Sequence, residues 1–214
     1  MSQQKNLYLH NHPLIQCDLT VLRDKRTPSP TFRATIRNLA RYIVYEAAET
    51  IELKTVEVET PMATYQGVKV KCDHIILAPI LRAGLCMIDG AVEVFPEAQV
   101  RHIGLYRDEE TLKPVEYYVK MPAQLDADTI LYILDPMLAT GGSAIAAVDI
   151  MKKRGVKNIN FCCLIASPEG VAKLSEAHPD IQIHTTAVDE KLNEIGYIIP
   201  GLGDAGDRAF NTGH

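Results

Sequence analysis

Long apolar runs are missing from this chain. No stretch approaches the roughly 18 residues that a membrane span needs. Residues 1–10 are polar, so neither a spanning helix nor a secretory leader is expected. Paired cysteine spacing is missing too. Cys17, Cys72, Cys86, Cys162 and Cys163 are odd in number and form no C-x-x-C. They are expected as reduced thiols, mostly in the core, of a cytoplasmic protein. Basic charge is in deficit: 22 Lys and Arg stand against 27 Asp and Glu, a net charge of −5. That argues against a general nucleic-acid coat. An anion can still be held locally by Arg, Lys, backbone N–H groups or a metal. Internal repeats and low-complexity tracts are absent as well.

What is present is an ordinary globular mixture. Of 214 residues, 47% are hydrophobic and 23% charged, enough for one sizeable core and one expected domain over 1–214. The stretch from Ile130 to Ser143 organises it. Ile130-Leu131-Tyr132-Ile133-Leu134 is apolar and reads as a buried parallel strand. One acid, Asp135, ends it. Small, hydroxyl and glycine residues follow, then a helical pattern over 144–154. A strand, a tight loop and a helix N-terminus make an anion site. The first-turn N–H groups point outward and the helix dipole favours negative charge there. Gly141 and Gly142 let the backbone approach an oxyanion, and Thr140 and Ser143 add hydroxyl donors. The plainer alternative is a capped helix after a turn, with no ligand. No Lys follows the glycines, so this is not an ATPase P-loop.

In chain order, residues 1–30 read as an irregular lead-in closed by Pro28-Ser29-Pro30. His10 and His12 lack an acid or Cys at ligand spacing and are expected to be structural or solvent-facing. Phe32, Ile36, Leu39, Ile43, Ala47 and Ile51 step by three or four, which predicts a long amphipathic helix. Arg33, Arg37 and Arg41 share one of its faces, expected to be solvated. Residues 53–58 and 65–71 alternate as short strands with Gly67 between them, an antiparallel addition beside the main sheet. Strands are expected at 74–80, 100–106, 158–166 and 181–188, and helices at 85–95 and 168–177. Residues 109–122 lack a core pattern and predict a flap. The alternation of strands and helices predicts a largely parallel sheet flanked by helices, an α/β fold.

Ligands of such sheets bind beyond the strand ends. Four ends here carry distinctive chemistry: Leu81-Arg82-Ala83-Gly84, Tyr106-Arg107-Asp108, Asp135 to Ser143, and Ser167-Pro168-Glu169-Gly170. Arg82 and Arg107 can each fork onto phosphate oxygens. Gly201, Gly203 and Gly206 match the dinucleotide fingerprint G-x-G-x-x-G. With eight residues after Gly206, no βαβ unit can follow, and a dinucleotide site is rejected.

Asp135-Pro136-Met137-Leu138-Ala139-Thr140-Gly141-Gly142-Ser143 resembles the phosphoribosyl-pyrophosphate (PRPP) loop of the uracil phosphoribosyltransferases, whose branch shares the Pro at the second position. Ile80-Leu81-Arg82-Ala83-Gly84, Gly104-Leu105-Tyr106-Arg107, Pro114-Val115-Glu116-Tyr117-Tyr118 and the stretch 200–208 resemble the same family, in order, over roughly residues 10–210. The resemblance implies the type I phosphoribosyltransferase fold with a β-arm or flap at 109–122 and a base-binding hood at 189–214. It implies conversion of uracil and PRPP to UMP and pyrophosphate with Mg²⁺. Arg82 and Arg107 would hold the pyrophosphate and phosphate groups, Asp135 the ribose hydroxyls, and Leu138 to Ser143 the 5′-phosphate. Ile198, Gly203, Asp204 and Ala205 would meet uracil. Asp204 would also touch PRPP or its metal, and with Arg107 would act at the reacting groups. Cys86 stands where relatives often have a smaller residue. A homodimer or larger homo-oligomer and a GTP effector are carried over as further expectations. The competing readings are a nucleotide-sensing regulator on this fold and a phosphoribosyltransferase for another base.

Overall fold

Strands that are apolar on both faces need helices on both sides, and the chain supplies them in alternation. The structure is a computed structural model that describes residues 5–72, 74–107, 114–126 and 128–212, with the side chains at 106, 107, 114 and 115 outside that description. It begins with β1 (Leu7–Leu9), α1 (Pro13–Arg23) and α2 (Ser29–Ala47). A ribbon follows, β2 (Leu53–Glu59) and β3 (Thr64–Val70). Next come β4 (Ile75–Leu81), α3 (Leu85–Val94), β5 (Gln99–Val100), β6 (Ile103–Arg107) and β7 (Pro114–Val119). The second half runs β8 (Ile130–Leu134), β9 (Met137–Leu138), α4 (Gly142–Lys153), β10 (Asn158–Cys162), β11 (Ile165–Ala166), α5 (Pro168–Ala177), β12 (Gln182–Thr185) and β13 (Ala187–Val188). The last elements are β14 (Lys191–Leu192), β15 (Ile198–Ile199) and α6 (Ala205–Phe210).

The main sheet has the order β1-β12-β10-β8-β4-β6-β7, with β5 beside β4. All its pairings are parallel except β6 with β7. Along β8 the pleat sends Ile130, Tyr132 and Leu134 to one face and Leu131 and Ile133 to the other. The first face packs against α1, α2, α3 and α6, the second against α4 and α5. A smaller parallel sheet, β13-β11-β9, continues beyond the ends of β12, β10 and β8.

The expected α/β sheet is present, and several local expectations change. The lead-in is not irregular. Pro13 sits in the first turn of α1, where a missing N–H costs nothing, and Ile15, Leu19 and Leu22 are buried at i, i+4 and i+7. His12 Nδ1 accepts from Leu14 N at 3.2 Å and caps the helix. His10 Nε2 lies 3.0 Å from His184 Nδ1, and the rings stack. Both histidines are therefore structural. β2 and β3 form their own two-stranded sheet rather than extending the main one. Gly67 lies inside β3 opposite Val56, and the turn is made by Thr60, whose Oγ1 accepts from Ala63 N at 3.0 Å. The strands predicted at 158–166 and 181–188 each break in two where the small sheet begins. The strand predicted at 100–106 also splits, into β5 and β6. Of the predicted flap, 114–119 is an antiparallel edge strand, and 109–113 lie outside the described residues. Arg33 is not merely solvated. Its guanidinium donates to Ala209 O and Ser29 Oγ, pinning α6 to the start of α2. Arg37 and Arg41 both meet Glu93 on the surface. None of the five cysteines forms a disulfide; Cys162 and Cys163 are buried and Cys17 is exposed. Cys86 is half-buried against the core, and burial pushes its thiol up to about 11. No helix among the described residues is long and apolar enough to cross a membrane.

Candidate active site

The register aligns the strand ends. Pro79 pairs with Leu134, Leu134 with Cys162, and Cys162 with His184, while Leu81 pairs with Gly104. Arg82, Asp135 and the backbone of Arg107 therefore lie along one edge. The Arg107 side chain is outside the described residues. Arg82 is exposed but tied down: Nη2 donates to Asp207 Oδ1 at 3.1 Å and Nη1 to Thr212 Oγ1 at 3.4 Å. Its loop lies flat on the end of β8. A Cβ on Gly84 would stand 2.4 Å from Leu134 O, so only glycine fits. The peptide bonds before Arg82 and Pro200 are both cis.

The loop 135–143 is held mostly by its backbone. Asp135 N donates to Cys162 O at 3.2 Å, and Asp135 Oδ1 accepts from Met137 N at 3.4 Å. Pro136 O accepts from Leu164 N and Ile165 N. Pro136 and Leu138 bury their side chains, so only their backbone can face a ligand. Ser167 N donates to Leu138 O at 2.9 Å, and Ser167 Oγ donates to Ala139 O at 2.6 Å. Gly170 presses on the same carbonyls: a Cβ there would lie 2.3 Å from Ala139 O. Gly141 adopts φ +81° and turns the chain into α4, whose first bond is Ile145 N to Gly141 O at 2.9 Å. The amides of Gly142, Ser143 and Ala144 thus fall in the first helical turn, where no i−4 carbonyl meets them. Thr140, Gly142 and Ser143 are at least partly exposed. The arrangement is an oxyanion cradle.

The C-terminal segment closes over this edge. β14 and β15 form a hairpin whose tip, Gly196, sits on the cradle; a Cβ there would lie 3.4 Å from Thr140 Cγ2. Ile198 is buried and its side chain belongs to the core, while its carbonyl packs on Gly201, where a Cβ would stand 2.1 Å from Ile198 O. Gly203 and Asp204 are exposed, Ala205 buried. Asp204 caps α6: its Oδ1 accepts from Asp207 N at 2.9 Å. A Cβ on Gly206 would come 3.8 Å from Ala83, bringing α6 against the Arg82 loop. Sequence reasoning missed the anchors of this segment. Asp189 takes both Arg23 Nη groups, at 2.8 and 2.6 Å, and Gly201 N at 2.9 Å. Arg208 donates to Leu22 O, Leu202 O and Asp24 O, with its guanidinium 4.3 Å over the Phe32 ring. Both anchors reach α1 or its end, an element absent from the sequence reading, so no local signal marked them.

Electrostatics join the two acids. Burial pushes the Asp135 carboxyl up to about 7; the Met137 N–H pulls it down, and the Asp204 carboxylate raises it further. No cluster of three or more His, Cys, Asp or Glu suited to a metal occurs among the described residues. Two carboxylates beside an anion cradle still fit Mg²⁺ carried by a diphosphate, since Mg²⁺ takes one or two carboxylates plus substrate phosphates.

The family model for uracil phosphoribosyltransferase matches residues 9–212. Over 202 residues the chain is 54% identical to a uracil phosphoribosyltransferase of Pediococcus pentosaceus, covering 94% of this chain and 96% of that one. Over 207 residues it is 50% identical to one from Listeria innocua, covering 97% and 99%. A solved structure of a protein from Aquifex aeolicus superposes with a TM-score of 0.87 at 39% identity, covering 95% and 97%. A purine phosphoribosyltransferase from Pyrococcus horikoshii shares the fold alone, at TM-score 0.50 and 16% identity over 73% and 84%. The strand-end cradle and its C-terminal cover therefore sit in a known frame: the chain belongs to the uracil phosphoribosyltransferase family.

Proposed function

We propose that this site takes uracil and PRPP and releases UMP and pyrophosphate, a step of pyrimidine salvage. The observation that carries the reading is the cradle at Gly141 to Ala144, with the hairpin tip at Gly196 lying against it. Uracil N1 forms a bond to C1 of the ribose as the C1–O bond to pyrophosphate breaks, and the N1 proton leaves to the released pyrophosphate or to solvent. Charge develops on the ribose and on the leaving group, so the protein mainly positions and stabilises. Thr140 to Ser143 and their N–H groups hold the 5′-phosphate. Asp135 accepts from the ribose hydroxyls. Arg82, fixed by Asp207, and Arg107 face the pyrophosphate. Backbone groups at Ile198 and at Gly203, Asp204 and Ala205 read the uracil edge, which rejects cytosine by leaving polar groups unpaired. Asp204, with Asp135 behind it, would hold Mg²⁺ on the pyrophosphate side. When bound, that ion neutralises the leaving diphosphate. A single domain with a hood at 189–214, a homo-oligomer, a GTP effector and a cytoplasmic location complete the reading; five cysteines without a disulfide support the last. Product analysis from uracil, PRPP and Mg²⁺, with and without chelator and with cytosine, hypoxanthine and adenine as controls, tests it. UMP from uracil alone, lost on chelation, is the expected result. Turnover of another base, or PRPP binding without turnover even with GTP, would overturn it.

Two results are expected within this scheme. Arg107→Ala should raise KM for PRPP about 10- to 100-fold, the loss of charged hydrogen bonds; near-normal PRPP kinetics would remove Arg107 from the site. The second concerns pH. Asp135 is raised above an ordinary carboxylate, so the free folded protein holds its proton up to about pH 7. Its ionisation therefore costs folding stability as pH climbs from the ordinary carboxylate range toward 7. The ribose hydroxyls prefer the carboxylate, so PRPP affinity should tighten as pH rises through about 7. Asp135→Asn should flatten that part of the KM profile, and an identical slope in both proteins would sink the assignment.

A further inference from the structure

The first turn of α5 stands between the phosphate cradle and the C-terminal hairpin. On the cradle side, Ser167 holds two successive carbonyls, Leu138 O through its N–H at 2.9 Å and Ala139 O through its hydroxyl at 2.6 Å. Ser167 Oγ also accepts from Gly170 N at 2.9 Å, and Ser167 is wholly buried. On the hairpin side, Glu169 Oε1 accepts from Leu192 N at 3.2 Å. Leu192 is the antiparallel partner of Ile198, whose backbone is assigned to uracil. One residue of α5 therefore lies a single strand step from the base pocket, while its neighbour two positions earlier grips the cradle.

We propose that Glu169 is a positioning residue that couples the two substrate subsites, holding the base-binding hairpin at a set distance from the phosphate cradle. The proposal rests on the uracil phosphoribosyltransferase reading above. Its physical basis is the geometry of transfer. Uracil N1 and ribose C1 belong to molecules bound by different elements, and they must meet at about 3–3.5 Å, where a misplacement of 1 Å can cost about 100-fold. The hairpin is short, with two residues in each strand, and at its tip a Cβ on Gly196 would lie 3.4 Å from Thr140 Cγ2 of the cradle. Beside the Asp189 anchor at the hairpin's base, Glu169 supplies a further point of attachment, on Leu192 itself. The carboxylate is well suited to the task. Its own N–H and the Leu192 N–H favour the charged form, with Lys173 nearby, and hold it below the usual carboxylate range. Glu169 is exposed, so a merely structural role there would contribute little to folding.

The test is equilibrium binding of UMP, which spans both subsites, against ribose 5-phosphate, which occupies the cradle alone, together with steady-state kinetics. Glu169→Ala should weaken UMP about tenfold, the cost of a hairpin displaced by a fraction of an ångström, and leave ribose 5-phosphate within about twofold. In kinetics, kcat and the KM for uracil should suffer while KM for PRPP stays near normal. Glu169→Gln keeps an oxygen for the Leu192 N–H and should restore UMP binding to within about threefold of wild type. Wild-type UMP affinity in Glu169→Ala would overturn the proposal. So would equal losses for UMP and ribose 5-phosphate, or a Gln variant as weak as the Ala one. Wild-type protein that binds ribose 5-phosphate but not UMP would overturn the functional reading and the coupling with it.

Discussion

Asp204→Asn should fold like the wild type and turn over at least about 100-fold more slowly, the scale seen when a preorganised electrostatic contact is removed from a reacting centre. The two halves of that expectation come from the two jobs of one carboxylate. Asp204 caps α6 by accepting the Asp207 N–H at 2.9 Å. Asn caps a helix about as well as Asp, so Asn preserves the cap and α6 keeps its place. Asp207 then still holds Arg82 at 3.1 Å. What Asn removes is the negative charge at the exposed mouth of the site, where Asp204 is assigned to the pyrophosphate side. A second readout follows from the coupling to Asp135. The Asp204 carboxylate raises that group, so the Asn variant should shift the pH dependence of PRPP binding toward lower pH. Asp204→Ala would lose the cap as well, about 1 kcal/mol, and would confuse folding with chemistry. Unchanged kcat in Asp204→Asn, at an unchanged melting temperature, would break the assignment.

The parts legible in the sequence were those whose signal is local. The run Ile130 to Leu134, one acid, a glycine pair and a helical pattern are contiguous, and they form β8, the cradle and α4 within a residue or two of their expected limits. Ser167-Pro168-Glu169-Gly170 was legible as a helix start and proved also to be the backing of the cradle. The failures share a cause. β1 is three residues long on a sheet edge, and α1 is capped by His12, outside the usual Ser, Thr, Asp and Asn. β1 is too short to show periodicity; α1 does carry the helical spacing Ile15, Leu19 and Leu22 behind Pro13, a signal masked by its unusual cap. Once α1 was missing, Arg23 had no helix to sit on, and its pairing with Asp189, 166 positions away, could not be anticipated. The breaks between β10 and β11 and between β12 and β13 carry no Gly or Pro, so no turn residue marked the change of sheet. Distant partners and bends without turn residues are tertiary facts, and single-sequence patterning does not encode them.

Gly142→Ala should leave the protein folded and raise KM for PRPP at least about 100-fold, because the ligand and not the protein needs the space there. Gly142 is the first residue of α4 and its φ is not positive. A Cβ built on it finds only Thr140 Oγ1, at 3.9 Å. In the free protein the methyl group enters open space, and a helical Ala is favoured over Gly by about 0.5–1 kcal/mol, so the melting temperature should hold or rise. The same methyl projects from the first turn whose N–H groups are to embrace a phosphate, and it blocks close approach of the oxyanion. The neighbouring glycines cannot make this distinction. Gly141 has φ +81°, and Gly170 has Ala139 O within 2.3 Å of a Cβ, so substitution at either strains the fold before any ligand arrives. Thermal denaturation and PRPP kinetics on one preparation decide the matter. A stable Gly142→Ala protein with ordinary KM for PRPP would mean that the phosphate is held elsewhere, and the cradle would revert to a capped helix after a turn.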